Sequence, residues 1–355
     1  MTTPAPAKRP AAVPYKRIAT EEAFAPPEML KMYERLIAKG IDDPGFTDLW
    51  GFHIKSTAGR PKFIRDCVTE IGDTRIRHMD ESGIDVQVLS LTSPGVQVLD
   101  KEDAVAYLPQ ANDYLADAMK KYPGRFVGLA AIAPQDPQFS AREIERCVNK
   151  LGFRGVILNS HTRGEYMSDP KFWDIFAAAE ALDVPIYLHP NTMPPKMVQP
   201  FQEVGLEGAV FGFGVETALH ALRIITSGAF DKFPRLQMIL GHMGEALPYW
   251  GYRLDYMHYA TAAANRYPNL KVLPRKVTDY LRDNFHITNS GVAWEPAIRF
   301  AQEFMGEDRV LYAMDYPYQY VIDEVIALDN MDMAPAVKKK FFQTNAENLF
   351  KFKAE

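Results

Sequence analysis

Three apolar runs, far apart in the chain, each deliver one chemistry-bearing side chain. V-P-I-Y-L-H-P ends on His189, L-Q-M-I-L-G-H-M-G-E reaches His242 with Glu245 a short step beyond, and R-V-L-Y-A-M-D-Y-P-Y delivers Asp315. Five further runs behave alike. K-R-I-A-T-E ends on Glu21, I-D-V-Q-V-L-S-L-T on Thr92, F-V-G-L-A-A-I-A-P leads to Gln135, F-R-G-V-I-L-N to Asn159 and His161, and F-H-I-T-N to Asn289. The runs are continuously apolar rather than alternating, as parallel strands covered on both faces must be. Helix-like stretches beginning at Asp103, Ser140 and Glu216 stand between them. Eight strands alternating with helices predict a (β/α)8 TIM barrel, in which polar residues at the strand ends face one shared mouth. Residues distant in sequence then converge on one site, the arrangement of an enzyme.

The 355 residues exceed the ~250 of a plain barrel and leave material for long loop insertions. Residues 24–75 and 190–212 are the expected irregular insertions, and loops of that length serve as lids or subunit contacts. The Pro- and Ala-rich residues 1–14 lack an apolar stretch and read as a flexible tail, leaving 15–355 as a single catalytic domain. A net charge of −5 with interspersed signs offers no footprint for nucleic acid or a membrane surface. No run reaches transmembrane length. Two cysteines, Cys67 and Cys147, are too few for a disulfide framework, which fits a reducing cytoplasm.

Glu21, His189 and Asp315 are hard and borderline ligand types that suit a divalent ion such as Zn²⁺ or Mn²⁺. Three protein ligands leave positions open for substrate.

In R-I-A-T-E-E-A-F, T-S-P-G-V-Q, F-G-F-G-V-E-T, G-H-M-G-E-A-L-P-Y-W and Y-A-M-D-Y-P-Y-Q-Y, taken in order, the chain resembles the metal-dependent decarboxylase branch of the amidohydrolase superfamily. It is most similar to the 5-carboxyvanillate decarboxylases, with γ-resorcylate decarboxylases as more distant relatives. The resemblance implies that Glu21, His189 and Asp315 ligate the metal and that His242 and Glu245 form an H-x-x-E pair beside it. Many relatives carry His two residues after the first Glu, where this chain has Ala23. The oxygen-richer set that results tilts the metal from Zn²⁺ towards Mn²⁺. No Lys ends the fourth strand, so the resemblance implies one ion rather than two.

The implied reaction is non-oxidative decarboxylation of an ortho-hydroxylated aromatic acid, 5-carboxyvanillate first and a dihydroxybenzoate such as γ-resorcylate second. A mononuclear metal-dependent hydrolase of the same superfamily is the other chemistry this barrel hosts. Asp315 is the implied acid, with His242 and Glu245 handling or orienting its proton. By resemblance, Arg60 binds the substrate's carboxylate, and a guanidinium suits that group. Arg253 matches an arginine donated across a subunit interface, which implies a homodimer or homotetramer. Leu49, Thr92, Phe213 and Tyr318 fall at pocket-lining positions. His53 departs from the Tyr of the nearest relatives and so bears on substrate preference. The remaining histidines have no motif behind them, although His161 lies close enough to the fourth strand to reach the mouth.

Overall fold

The computed structural model describes residues 9–354, and residues 1–8 of the expected tail lie outside them. Eight strands appear: β1 (Ile18–Phe24), β2 (Val86–Leu91), β3 (Phe126–Ala131), β4 (Gly155–Asn159), β5 (Ile186–His189), β6 (Met238–Leu240), β7 (Phe285–Thr288) and β8 (Val310–Leu311). They pair in sequence order, each neighbouring pair parallel. The ring closes where the Thr20 N–H donates to the Tyr312 carbonyl (3.0 Å) and the Ala23 N–H to the Tyr316 carbonyl (2.7 Å). Every residue of β1 to β4 is buried. That is why these runs are mostly apolar, since one face fills the barrel and the other meets helices, and why their few polar residues, such as Glu21, Glu22 and Gln87, are buried with them.

The helices follow local signals. Helix Pro137–Leu151 starts where the Asp136 carboxylate accepts from the Phe139 N–H (2.9 Å), has Pro in its first turn and stops at Gly152 with φ 76°. Cap, proline start and left-handed glycine stop are each the residue type that the position demands.

Two expectations need correction. Residues 24–75 are not irregular, since helices Pro27–Ala38, Pro44–Lys55 and Gly59–Val68 occupy most of them. Two of their prolines open helices rather than break them, and Asp43 caps the second by accepting from the Phe46 N–H. Residues 190–212 do hold one short helix, Pro195–Gln202, in an otherwise irregular segment. The strands before the two C-terminal site residues are also shorter than the apolar runs suggest. β6 ends at Leu240, ahead of His242, and β8 ends at Leu311, four residues before Asp315.

Candidate active site

Glu21 is anchored through one oxygen and free at the other. Its Oε2 accepts from the Tyr187 hydroxyl of β5 and the Thr288 hydroxyl of β7 (3.2 Å), while Oε1 is buried without a hydrogen-bond partner. Facing Oε1 are His189 Nε2 at 3.4 Å and His242 Nε2 at 3.5 Å. Both imidazoles are engaged at the other nitrogen: His189 Nδ1 donates to the Pro190 carbonyl (2.8 Å) and His242 Nδ1 to Glu245 Oε1 (2.7 Å). A carbonyl can only accept, so neutral His189 carries its proton on Nδ1 and turns a bare Nε2 lone pair to the centre. Gly241 makes room for this. A Cβ there would stand 2.6 Å from Glu21 Oε2.

His242 and Glu245 meet because the chain reverses its hand after β6. Residues 242 to 246 all have positive φ, namely 49, 58, 72, 51 and 60°. A left-handed turn costs ~1–2 kcal/mol for each non-glycine residue, so it persists only where the surroundings over-determine it, as at functional sites. Asp315 is also left-handed, with φ 69°. Gly291 borders both groups: a Cβ on it would lie 3.4 Å from His242 Cδ2 and 3.8 Å from Asp315 Oδ2.

The charges act as one cluster. Burial and the Glu21 carboxylate push Asp315 up to about 7, against His242, His189 and Arg60. Burial raises Glu21 as well, yet His242 and His189 outweigh it and hold that carboxyl at about 2. Burial disfavours the His242 cation, but Glu245 and Glu21 push its pKa up to about 10. Glu21, Glu245 and Asp315 therefore call for positive charge, which one imidazolium meets only in part. A divalent cation meets it with the imidazoles left neutral, and carboxylate oxygens with imidazole nitrogens form a donor set that suits such an ion. Among the described residues, no group of three or more His, Cys, Asp or Glu is already arranged to hold a metal ion. The fit rests on the unpartnered Oε1 and the two imidazole nitrogens aimed at it.

One wall of the mouth gathers five of the predicted substrate residues. Thr92 Oγ1 and the Tyr318 hydroxyl are 2.6 Å apart, and Arg60 Nη2 donates to the Tyr318 carbonyl (2.5 Å). The His53 ring meets that of Tyr318 edge-on at 6.2 Å, and its Nδ1 donates to the carbonyl of Leu49 (2.8 Å). Phe213 lies in the first turn of helix Gly212–Ser227, which abuts the His–Glu pair: a Cβ on Gly214 would stand 3.0 Å from Glu245 Oε2. Arg253 is exposed on the outer helix Leu247–Ala263, apart from this wall.

Not every polar strand end turns to the centre. Gln135 Nε2 donates to the carbonyls of Val96 and Leu99, and Asn159 Nδ2 to that of Leu91, so both tie loops together. His161 is used up internally, its Nε2 donating to the Thr192 carbonyl (2.7 Å) and its Nδ1 accepting from the Gly164 N–H (3.0 Å). Tyr187 and Thr288, which fix Glu21, escaped the sequence reading. Strand parity carried the signal for Tyr187, two residues before His189 and therefore on the same face. A cleft of ≈ 330 Å³ lined by Arg235, Gln237, His286 and Arg309 lies at the opposite end of the barrel. Barrel enzymes work at the C-terminal end of their strands, so the donor geometry locates the site and the cleft volume does not.

The amidohydrolase family model matches residues 68–352. A γ-resorcylate decarboxylase from Polaromonas sp. strain JS666 is 39% identical over 296 residues, covering 81% of this chain and 90% of that protein. One from Rhizobium sp. strain MTP-10005 is 36% identical over 345 residues, covering 94% and 98%. Among solved structures, the 5-carboxyvanillate decarboxylase of Novosphingobium aromaticivorans DSM 12444, complexed with manganese and 4-hydroxy-3-methoxy-5-nitrobenzoic acid, is 55% identical. It has a TM-score of 0.94 and covers 96% of this chain and 97% of its own. With the barrel, its C-terminal mouth and these similarities together, the chain belongs to the amidohydrolase family.

Proposed function

We propose that this chain catalyses metal-dependent, non-oxidative decarboxylation of an ortho-hydroxylated aromatic acid, converting 5-carboxyvanillate to vanillate and CO₂. The observation that carries this reading is Glu21 Oε1, unpartnered between two imidazole nitrogens whose partner nitrogens are already engaged. The similar structure supports the substrate class, because 4-hydroxy-3-methoxy-5-nitrobenzoic acid is 5-carboxyvanillate with a nitro group in place of the departing carboxylate.

Glu21, His189 and Asp315 would hold one divalent ion, Mn²⁺ ahead of Zn²⁺ because oxygen donors outnumber nitrogen. Bound there, the ion supplies Lewis-acid polarisation of the phenolic oxygen and the departing carboxylate. Direct loss of CO₂ from a ring carbon would strand an electron pair in the ring plane, where the π system cannot take it up. Protonating that carbon first removes the difficulty. Asp315 receives the phenolic proton and delivers it to the carboxyl-bearing carbon; the C–C bond then breaks and its electrons restore the aromatic ring. Glu245 holds His242 in one tautomer, and His242 orients Asp315 and handles its proton. Arg60 binds the carboxylate that stays on the ring, and Thr92, Tyr318, Leu49, His53 and Phe213 enclose the ring.

The working unit is a homodimer or homotetramer in which Arg253 reaches a neighbour's site. Its helix exposes Tyr249 (79%), Trp250 (51%), Tyr252 (84%), Tyr256 (63%) and Tyr259 (71%) beside that arginine. Aromatic and arginine side chains in one patch are the composition of an interface centre. No helix among the described residues is long and apolar enough to cross a membrane, and both cysteines are buried and unpaired, in keeping with a reducing cytoplasm.

The test is turnover of 5-carboxyvanillate in heavy water and in ¹⁸O-labelled water. The reading expects one deuterium on the vacated ring carbon and no water oxygen in the aromatic product. An aromatic product carrying ¹⁸O would point to hydrolysis instead, and unlabelled ring carbon would exclude the protonation step.

A further inference from the structure

Asp315 sits in a left-handed conformation on a loop beyond β8, so something other than a strand must hold it. The next residue after the candidate ligand Glu21 does so. Glu22 is fully buried. Its Oε1 accepts from the Met314 N–H (2.9 Å) and its Oε2 from the Tyr316 N–H (3.0 Å), the N–H groups of the residues on either side of Asp315. Neighbouring bonds complete the bracket: the Ala313 N–H donates to Asn289 Oδ1 (2.9 Å) and the Ala23 N–H to the Tyr316 carbonyl (2.7 Å).

Glu22 is itself held. Gln87 Nε2 donates to its Oε2 (3.4 Å), and Arg75 Nη1 donates to Gln87 Oε1 (3.2 Å). Arg75, also fully buried, fixes β1 by donating from Nη2 to the Ala23 carbonyl (2.7 Å) and lies 4.6 Å over the Tyr316 ring. A carboxyl group whose two oxygens each accept a backbone N–H, with a buried guanidinium near it through one amide, is a rigid clamp whose jaws close on either side of a single residue.

We propose that Glu22 is a positioning residue for Asp315, setting where the acid carboxyl stands relative to the substrate ring; this rests on the role given to Asp315 above. Adjacent glutamates on one strand then divide the labour. Glu21 faces the barrel interior and serves the centre, and Glu22 faces the β8 loop and aims the acid.

The test compares Glu22→Gln, Gln87→Met and Asp315→Asn at saturating Mn²⁺, with kcat, KM, bound metal and Tm measured for each. In Glu22→Gln one acceptor becomes a donor facing an N–H, so the loop shifts. Misplacement on the order of 1 Å costs roughly a hundredfold, and with the ion kept saturating, because Asp315 is also a candidate ligand, the loss should fall on kcat with KM close to wild type. Gln87→Met leaves the carboxylate but removes its prop, and should lower kcat several-fold. A folded, metal-loaded Glu22→Gln enzyme with wild-type kcat overturns the proposal. If that variant does not fold, wild-type kcat in Gln87→Met overturns it instead. Asp315→Asn separates the two readings: full turnover there sinks the role of Asp315, whereas an inactive Asp315→Asn beside a fully active Glu22→Gln sinks the clamp alone.

Discussion

Replacing His286 should flatten the acid side of the stability profile. His286 lies on β7 at the end of the barrel away from the catalytic mouth, where its Nε2 accepts from Arg309 Nη1 (3.0 Å). An imidazole that accepts from a guanidinium must be neutral, and burial, aided by Arg309, pushes its pKa down from 6.5 to about 3. The unfolded chain takes up this proton near pH 6.5, whereas the folded chain refuses it until about pH 3. The contribution to stability is therefore complete above the unfolded value and is lost as pH falls towards the folded one, at ~1.4 kcal/mol per unit. Between pH 8 and pH 5 this one site costs about 2 kcal/mol. His286→Gln keeps an acceptor for Arg309 and removes the titration. Urea unfolding of both proteins at the two pH values should show the variant losing less stability by that amount. Equal losses in the two proteins would refute the reasoning, and with it the neutral assignment of His286.

The remaining predictions concern the mouth. His189→Ala should lose bound metal and turnover while keeping its circular-dichroism spectrum, because the replaced side chain belongs to the site and not to the packed wall; retained turnover would remove His189 from the ligand set. Arg60→Ala and Arg253→Ala should each remove a charge-assisted contact worth ~1.5–3 kcal/mol, or roughly ten- to a hundredfold in kcat/KM, with metal content unchanged. Coexpressing Arg253→Ala with Asp315→Asn should regenerate activity in hybrid dimers, and verified but inactive hybrids would place Arg253 outside a neighbour's site. Gly241→Ala should expel Glu21 from its position, since the new methyl group would stand 2.6 Å from Oε2; metal titration showing wild-type affinity would contradict that.

The eight strands were legible because burial on both faces leaves a largely apolar run, repeated between helix-like stretches. Where the runs ended was harder to read. L-Q-M-I-L-G-H reads as one strand to His242, yet pairing stops at Leu240, because Gly241 approaches Glu21 and the next residues turn left-handed. Handedness is set by tertiary contacts and leaves no mark in H-M-G-E. The insertion after β1 read as irregular, yet Pro27 and Pro44 stand in first helical turns, where proline opens a helix rather than breaking it. Glu22 was hidden by its neighbour. A second glutamate beside a candidate ligand gives no sign of which loop it will meet, and its partners Met314 and Tyr316 lie almost three hundred residues away.

Glu21, Tyr187 and Thr288 come from β1, β5 and β7, alternate strands whose inward side chains share a tier of the barrel's filling. The floor of the catalytic mouth is thus also a course of the fold's masonry, polar where a barrel ordinarily places branched apolar residues. A cation taken up there stabilises the folded chain by mass action, by about 2.7 kcal/mol at a free concentration of one hundred times its Kd. Manganese supply would then govern how long the protein survives as well as how fast it works, and a chain starved of the ion would be cleared sooner than it would be found idle.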